Sequence, residues 1–473
     1  MKLLILLTLA LGLVSQKIYA APQLFSAEEM DFKFTPSYPV FDIYQQKTRP
    51  VDGRKEITFA NDFVERMRMG ADFRLSFQDL ESGNVDKPDI GNLDAGFTNA
   101  RANWFWDIEV SKGISTFFNI YLSSEHHLEV YMREGYFFID ELPGFKSSMI
   151  DDLMKLLSAK AGQFEINYGD WHLRRTNNGE VQRNPVVGNY LIDANTTEIG
   201  MEIMADKGNF QFLGAFTGGT NKEDITPKNG YGWYFKLGFD KKFESDSRLR
   251  IAASYYGTNH RNTTTKSELY SGNRSGSPYR GIFKPNVSTG YDAGQLLPDI
   301  NSQIGAYQIN LVYQIKGLEI FGTYEMAQDR NALGCGGQTT GTTFAPGPCA
   351  PGGFGAAGAV NTFNVFSGNK EAWSQWAIDL VYRFSPEFHI AGRYNVAERE
   401  DSYNQTVSPA DYKAKMYNIG IGYFIPRSTA LIKIEYMNQE FTNFLKTDYY
   451  ANYSQYGANA KANGFTIEGS LTF

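Results

Sequence analysis

Cysteine, histidine and long apolar runs are all scarce in this chain, and each scarcity excludes a class of protein. The 473 residues contain two cysteines, Cys335 and Cys349, and no Cys-x-x-Cys-His motif, which excludes attached haem and a cysteine-based zinc site. Beyond residue 20 no apolar run is long enough to span a bilayer as a helix, and the mean hydropathy is −0.38. The five histidines occur without a Gly-x-Ser-x-Gly or His-Glu-x-x-His pattern, so these hydrolase motifs are absent as well.

The first twenty residues have the composition of a secretory signal. Lys2 precedes an apolar stretch from Leu3 to Val14, and the small residue Ala20 offers a cleavage point. Twelve apolar residues are too few for a transmembrane helix, which needs roughly 20. Removing Lys2 and Lys17 with this segment lowers the net charge from −7 to −9, and such a mildly acidic chain is a poor general nucleic-acid binder.

Both cysteines lie in one linker, residues 329–371, which is rich in Gly, Pro and Thr. An exported chain folds in an oxidising compartment, where paired cysteines are the rule. The sequence therefore predicts a Cys335–Cys349 disulfide.

Short segments of alternating polarity recur from about residue 64 to the carboxyl end. In the first, Met69, Phe73 and Leu75 share one face, whereas Arg68 and Arg74 share the other. Segments about ten residues long with one apolar and one polar face are typical of a barrel wall in lipid. The predicted strands are sixteen, an even number, at 64–79, 97–111, 113–124, 128–142, 159–168, 196–206, 208–218, 230–242, 247–258, 301–315, 317–328, 372–385, 387–399, 412–426, 428–441 and 463–473.

The connections alternate between tight turns and long linkers. Turns such as Lys112-Gly113 and Lys207-Gly208 alternate with linkers such as 259–300, which places all long loops on one side of a closed antiparallel barrel. One connection, 143–158, contains a predicted short amphipathic helix. Residues 21–63 do not alternate, so we expect a periplasmic or lumen-inserted segment there and the barrel itself at 64–473.

The predicted inner faces of the strands carry many charges, and the two signs nearly balance. Dehydrating so many ionisable groups is costly, so they must either line water or pair with one another. Sixteen strands also form a cylinder too wide for side chains alone to fill, which favours a water-filled pore. The ten cationic positions are Arg66, Arg68, Arg74, Arg101, Arg133, Lys236, Arg250, Arg383, Arg393 and Lys433, and the eleven anionic ones are Asp72, Asp107, Glu109, Glu129, Glu165, Glu198, Glu202, Glu319, Glu325, Asp379 and Glu435.

Around the third long loop the chain resembles the bacterial outer-membrane porin superfamily, and most of all the phosphate-selective (O/P-like) type. The resemblance lies in Gly162-Gln-Phe-Glu-Ile-Asn-Tyr-Gly169, Arg174-Arg-Thr-Asn-Asn-Gly179, Arg183-Asn-Pro-Val-Val-Gly-Asn-Tyr190 and Thr197-Glu-Ile-Gly-Met-Glu202. The last eleven residues also resemble the terminal strand of outer-membrane barrels, with an aromatic end at Phe473.

This resemblance implies an outer-membrane channel for small hydrophilic or anionic solutes, surrounded by outer-membrane lipids, with no cofactor. By analogy it implies a homotrimer. It also implies that residues 169–195 fold into the lumen, where Arg174, Arg175 and Arg183 would be constriction cations with His172 nearby. Guanidinium groups suit that role because they stay charged and grip phosphate or carboxylate in a fork. However, the chain lacks the lysine enrichment expected for strict phosphate selection.

Three alternatives stay open. The three arginines could pair with lumen acids such as Glu165, Glu198 and Glu202 and merely hold the loop in place. The barrel could be a sleeve or receptor for a docked partner. A membrane-edge hydrolase would need a histidine, and only His389 is predicted at mid-strand in the lumen.

Overall fold

The computed structural model describes the following residues: 55–57, 66–84, 95–98, 100–123, 130–142, 144, 147–218, 231–243, 247–258, 268–270, 277–283, 294–298, 300, 304–329, 372–399, 413–426, 428–442 and 459–472. The predicted signal segment at 1–20 and both predicted disulfide cysteines, Cys335 and Cys349, lie outside these residues.

Sixteen long strands form one closed, wholly antiparallel β-barrel, which confirms the predicted fold. Each strand pairs with its neighbours in sequence, and the first closes the cylinder by pairing with the last. The strands are β1 (Arg66–Asn84), β2 (Arg101–Ser111), β3 (Ile114–Ser123), β4 (Tyr131–Ile139), β5 (Leu157–Glu165), β6 (Thr197–Lys207), β7 (Phe210–Thr217), β8 (Gly232–Phe243), β9 (Ser247–Thr258), β10 (Ile304–Ile315), β11 (Leu318–Asp329), β12 (Ala372–Arg383), β13 (Phe388–Arg399), β14 (Lys413–Phe424), β15 (Ala430–Thr442) and β16 (Ala460–Thr472).

The largest departure from the predicted bounds is at the seam between β1 and β16. β1 continues to Asn84 and β16 begins at Ala460, because the two strands pair without interruption from Asp72 opposite Thr472 to Asn84 opposite Ala460. Below Asp72 this edge of β1 is covered by a short strand, Lys55–Ile57, which pairs with Met67–Met69. A second short strand, Gly96–Phe97, pairs with β1 at Phe77 and Gln78. The two short strands thus pair with parts of β1 that β16 and β2 leave unpaired.

The two faces of the wall follow the predicted alternation. On β1, Phe73 and Leu75 are 44 and 37% exposed on the outside, whereas Arg74 between them is fully buried on the inside. Large apolar side chains are exposed on the outer face of other strands too, among them Leu237, Ile309, Leu380 and Ile419. Within the described residues, no helix is both long and apolar enough to cross a membrane.

Tight turns join the strands at one end of the barrel. Gly113, between β2 and β3, has φ +75°, and a Cβ there would lie 2.2 Å from the Cβ of Glu141, so the turn requires glycine. The connection between β4 and β5 contains the short helix α1 (Ser148–Met154), within the predicted range.

Two stretches of chain fold inward and fill the barrel. The first, residues 166–196, connects β5 to β6 and is named the inner loop. The second is the described part of the β9–β10 connection, residues 268–270, 277–283 and 294–298, named the β9–β10 segment. The two are joined where Leu296 N donates to Leu191 O at 2.8 Å and Asn195 N donates to Leu269 O at 3.1 Å. The buried apolar cluster includes side chains of the wall and of both segments.

Candidate functional site

The inner loop leaves the wall at a conformation that only glycine adopts readily. Ile166 N still donates to Thr196 O at 3.1 Å, which prolongs the β5–β6 ladder by one step. Gly169 then has φ +73°, and a Cβ at this position would lie 1.6 Å from Gln308 Oε1 on β10. Gly169 N donates to Ser254 Oγ at 3.0 Å. The chain therefore turns into the lumen in close contact with β9 and β10.

Asp170 fixes this turn to two neighbouring strands. Arg250 on β9 grips its carboxylate with two nitrogens, at 2.7 and 3.1 Å, and Lys236 Nζ on β8 lies 2.7 Å from the same group. Asp170 N donates to Asn310 Oδ1 on β10 at 2.8 Å. Burial alone would raise the pKa of Asp170, but Arg250 and Lys236 outweigh burial and hold that pKa well below its usual range. We call Asp170, Lys236 and Arg250 the Asp170 anchor.

Two of the predicted constriction arginines are buried and paired with acids. Arg174 bonds Glu319 on β11, lies 3.6 Å from Asp379 on β12, and places its guanidinium 4.7 Å from the centre of the Phe321 ring. Arg175 grips Asp193 in a fork at 2.8 and 2.5 Å, entirely within the inner loop. The alternative in which these arginines pair with acids is therefore the one found, although the acids differ from those named beforehand.

The other two predicted constriction residues are less enclosed. Arg183 is 21% exposed in its side chain and pairs with Glu180 at 2.8 Å. His172 is half-buried beside Lys236 and Asp170, and burial followed by Lys236 lowers the pKa of its ring well below the usual value. The structure thus places all four residues in the lumen but spreads them along the loop. Their role in a constriction stays a prediction.

The far tip of the inner loop contacts β2 and β3. The chain reverses between Asn177 and Glu180, whose backbones pair at 2.8 and 3.1 Å. Asn103 on β2 donates to Asn177 O at 3.1 Å and accepts from Gly179 N at 2.9 Å. The tip therefore makes specific hydrogen bonds on the side of the barrel opposite the Asp170 anchor.

A third set of contacts joins the returning part of the loop to β15. Lys433 Nζ donates to the carbonyl oxygens of Val181, Asn184 and Val186 at 2.9 to 3.1 Å. Glu435 accepts from Val187 N and Gly188 N, at 2.8 and 3.2 Å. Lys433 and Glu435, two residues apart on the same inner face, thus form hydrogen bonds with backbone groups that would otherwise be buried without partners.

Arg393 on β13 links the same part of the loop to the wall. It pairs with Asp379 through two nitrogens at 2.7 and 2.9 Å and donates to Gly188 O at 2.7 Å. Its guanidinium also lies 3.8 Å from the centre of the Tyr190 ring.

Several of the remaining predicted wall charges also have partners in the lumen, and Glu129 lies outside the described residues. Four ion pairs join neighbouring strands: Arg68 with Asp107, Arg74 with Glu468 at 3.1 Å, Arg133 with Glu165 at 4.0 Å, and Glu202 with Lys160 at 3.2 Å. None of these pairs was predicted. Glu198 accepts from the hydroxyls of Tyr256 and Thr217. Arg383 is half-buried at the end of β12, and Arg66 lies opposite Glu109 in the β1–β2 ladder.

Buried charges of the two signs balance within the described residues. The sequence left two possibilities for these groups, lining water or pairing. The described side chains are held by ion pairs or by hydrogen bonds to neutral protein groups. The eleven cationic side chains are Arg68, Arg74, Arg101, Arg133, Arg174, Arg175, Lys236, Arg248, Arg250, Arg393 and Lys433, and the eleven anionic ones are Asp72, Asp107, Asp170, Asp193, Glu198, Glu202, Glu319, Glu325, Asp379, Glu435 and Glu468. The lumen beside them is filled by the inner loop and the β9–β10 segment, and a water-filled path along these groups stays a prediction.

Sequence reasoning missed the acids that the inner loop itself contributes. Asp170 and Asp193 are buried and hold three cations between them, yet neither was singled out. The same stretch, residues 166–196, also contains six asparagines, which were not used as a signal. Their side chains can pair with backbone groups, as Asn189 does with Thr176 N at 2.8 Å.

The fold is that of a closed antiparallel barrel with a loop folded inside. No protein-family model and no curated protein sequence matches this chain. Solved structures similar to it include Salmonella typhi OmpF in complex with daunomycin, with a TM-score of 0.48 and 12% identity, covering 88% of this chain and 100% of that one. The channel DcaP of Acinetobacter baumannii has a TM-score of 0.46 and 10% identity over 88 and 99% of the two chains. An anion-selective porin from Comamonas acidovorans has a TM-score of 0.46 and 7% identity, covering 86% of this chain and 99% of that one. Likenesses at this level transfer no residue and no function to this chain.

Proposed function

We propose that the chain is an outer-membrane channel of the porin class whose conductance is limited by the inner loop. The observation that carries this proposal is the closed sixteen-strand barrel with exposed apolar side chains outside and charged, hydrogen-bonded side chains inside. Closure gives every strand two partners, so the backbone is satisfied in lipid, where no water can substitute. The apolar outer face would contact the lipids of the outer membrane.

A channel of this design has low conductance in the described conformation. The inner loop contacts β2, β8, β10 and β15, so it crosses the lumen rather than lying along one side. Solutes would pass only where the loop leaves space or when it moves. Small hydrophilic solutes are therefore the substrate class that we propose.

The direction of charge selectivity is a finer proposal. The buried charges balance, so a preference has to come from where single charges lie rather than from their sum. Arg183, the partly exposed member of the proposed constriction cations, pairs with the partly exposed Glu180, whereas Arg174 and Arg175 pair with buried acids. A modest anion preference, in the manner of the phosphate-selective type, is what this arrangement supports. A homotrimer is proposed by analogy alone.

Planar-bilayer recording of the purified protein tests the proposal. We expect small ohmic steps, and a larger step after residues 172–186 are replaced by a short Gly-Ser linker, because most of the inner loop then no longer occupies the lumen. A matched control shortens α1, which lies in a turn at the short-connection end and is exposed. Silence from both the full chain and the loop-shortened variant would contradict a channel.

The sleeve alternative is less well supported, because the lumen that a docked partner would need is occupied by the chain's own segments. A hydrolase stays an alternative prediction. Of the histidines, His389 is buried with Nε2 3.2 Å from Pro185 O, and its pairing with a backbone carbonyl supports a role in holding the loop.

A further inference from the structure

Two arginines face each other across the β1–β2 ladder inside the barrel. Arg74 lies directly opposite Arg101 in the register, and the two side chains are 0 and 1% exposed. Like charges directly opposite each other destabilise a sheet, and burial makes their repulsion stronger. Such a pair persists only where negative charge compensates it.

The acid that bonds Arg74 also serves a second cation. Glu468 on β16 accepts from Arg74 Nη1 at 3.1 Å, but its other oxygen lies 2.8 Å from Lys433. Arg101 Nη2 donates to the neutral carbonyl oxygen of Ser277 at 3.0 Å. Asp72, two residues before Arg74, accepts from the Thr472 hydroxyl at 2.5 Å. One carboxylate thus serves Arg74 and Lys433 together.

Arg74 retains unused hydrogen-bond donors. Its Nε and Nη2 are buried and have no partner among the described residues. The Ser76 hydroxyl, next on the same inner face of β1, is 1% exposed and likewise lacks a partner in the described part of the chain. A buried guanidinium with two free nitrogens costs stability unless a ligand accepts from them.

The β9–β10 segment brings a third guanidinium to the same place. Arg280 N donates to Gln78 Oε1 and Arg280 O accepts from Gln78 Nε2, both at 2.8 Å, which fixes the segment against β1. Burial and the nearby Arg101 lower the pKa of Arg280. Arg280 is therefore close enough to Arg101 for their charges to interact. We call Arg74, Ser76, Arg101 and Arg280 the Arg74 cluster.

We propose that the Arg74 cluster is a binding site for a small oxyanion of the phosphate or carboxylate class. Two free nitrogens on one guanidinium can grip two oxygens of such a group in a fork, and a serine hydroxyl can donate to a third. An anion here neutralises the Arg74–Arg101 repulsion and satisfies the buried donors at once. The site deepens the proposed anion preference and rests on it, but its occupancy can be measured without conduction.

Thermal unfolding and calorimetric titration of the barrel in detergent test the site. Inorganic phosphate, acetate and chloride are compared at constant ionic strength and pH. We expect phosphate or acetate to bind with one site per chain and to raise the unfolding temperature, and chloride to have a much smaller effect, because it cannot engage a fork. The two oxyanion arms identify which member of the class is preferred.

Arg74→Gln and Arg101→Gln should each weaken oxyanion binding at least 10-fold, and Ser76→Ala by a smaller factor. The control is Arg248→Gln, which removes the same charge from a buried guanidinium that already grips Asp240 at 2.7 and 2.5 Å. It should leave oxyanion affinity unchanged. If Arg74→Gln fails to fold, Arg74→Lys, which keeps the charge but lacks the fork, should fold and bind more weakly.

Equal stabilisation by phosphate, acetate and chloride would overturn the site, as would oxyanion affinity that is the same in Arg74→Gln and in the control. Conductance separates this result from the proposed function. A barrel that conducts but does not bind oxyanions refutes the site alone, whereas a barrel that binds them and stays silent refutes the channel alone.

Discussion

The Asp170 anchor and the Arg74 cluster use the same side chain in opposite ways. Every guanidinium nitrogen of Arg250 has an acceptor: Asp170 for Nε and Nη2, Gln211 also for Nη2, and Asp240 for Nη1 at 3.5 Å. Arg74, equally buried, has a partner for one nitrogen and none in the described chain for the other two. Both places thus contain a buried arginine, and they differ in how many of its nitrogens have a hydrogen-bond acceptor.

This difference separates a structural ion pair, at the Asp170 anchor, from a proposed binding site, at the Arg74 cluster. A saturated buried ion pair holds two segments together, and removing one partner leaves a buried charge that costs several kcal/mol. A guanidinium with unused hydrogen-bond donors contributes less to the stability of the fold and is available to bind a ligand. The following variants distinguish these roles.

The largest effect should come from Asp170→Asn. This change leaves Lys236 and Arg250 buried without their carboxylate, so the free energy of unfolding should fall by about 3–5 kcal/mol. Denaturant unfolding in detergent measures it. Asp152→Asn is the control, because Asp152 and Lys155 form an exposed pair on and beside α1, and we expect little change there. A loss no larger than the control's would mean that the anchor does not hold the loop.

The same anchor should have a characteristic dependence on pH. Because the pKa of Asp170 is lower in the folded than in the unfolded chain, its stabilisation is complete above the unfolded value of about 4 and is lost as pH falls further toward the folded value. The stability difference between the wild type and Asp170→Asn should therefore be constant between about pH 6 and 8 and shrink below about pH 4. A difference that instead disappears near neutral pH would show that another group is responsible.

Gly169→Ala should have an intermediate effect. It places a side chain at a positive φ and against Gln308, so we expect a loss of about 2 kcal/mol in unfolding free energy together with a higher conductance. Gly469→Ala on β16 is the matched control, since nothing lies within 4 Å of a Cβ there. If the two variants behave alike, the entry of the loop tolerates other backbone conformations.

The smallest effect on stability should come from Arg74→Gln in the absence of oxyanion. Glu468 keeps Lys433 as its partner, so the unfolding free energy should change by no more than about 1 kcal/mol. The stabilisation by phosphate or acetate should be lost at the same time. A loss of unfolding free energy as large as that for Asp170→Asn would show that Arg74 has a structural role like that of Arg250.

The sequence predicted the wall better than the interior. Alternation with period two is a local signal, so Phe73 outside and Arg74 inside could be assigned from neighbouring residues alone. The position of the third loop inside the lumen was also predicted, through a resemblance. The partners inside were not, because they depend on register and on contacts between distant parts of the chain, such as Arg174 with Glu319.

The opposition of Arg74 and Arg101 illustrates the limit. Both were predicted to face inward, yet only the observed pairing of β1 with β2 places them face to face. A shift of two residues would keep both inside and put Asp72 or Ser76 opposite Arg101 instead. The side of the wall on which a residue lies can therefore be predicted from a single strand, whereas the residue opposite it on the next strand cannot.

The contact between the inner loop and β15 constrains how the molecule can assemble. Val187 N and Glu435 Oε2 are 2.8 Å apart but 248 residues apart along the chain, and the seam that joins β1 to β16 forms from residues still later. Such a high contact order makes the loop's final position one of the slowest features to form. The inner loop can dock only once the late strands are present, yet closure of the β1–β16 seam restricts its entry into the lumen. Closure of the barrel and docking of the inner loop are consequently coupled steps.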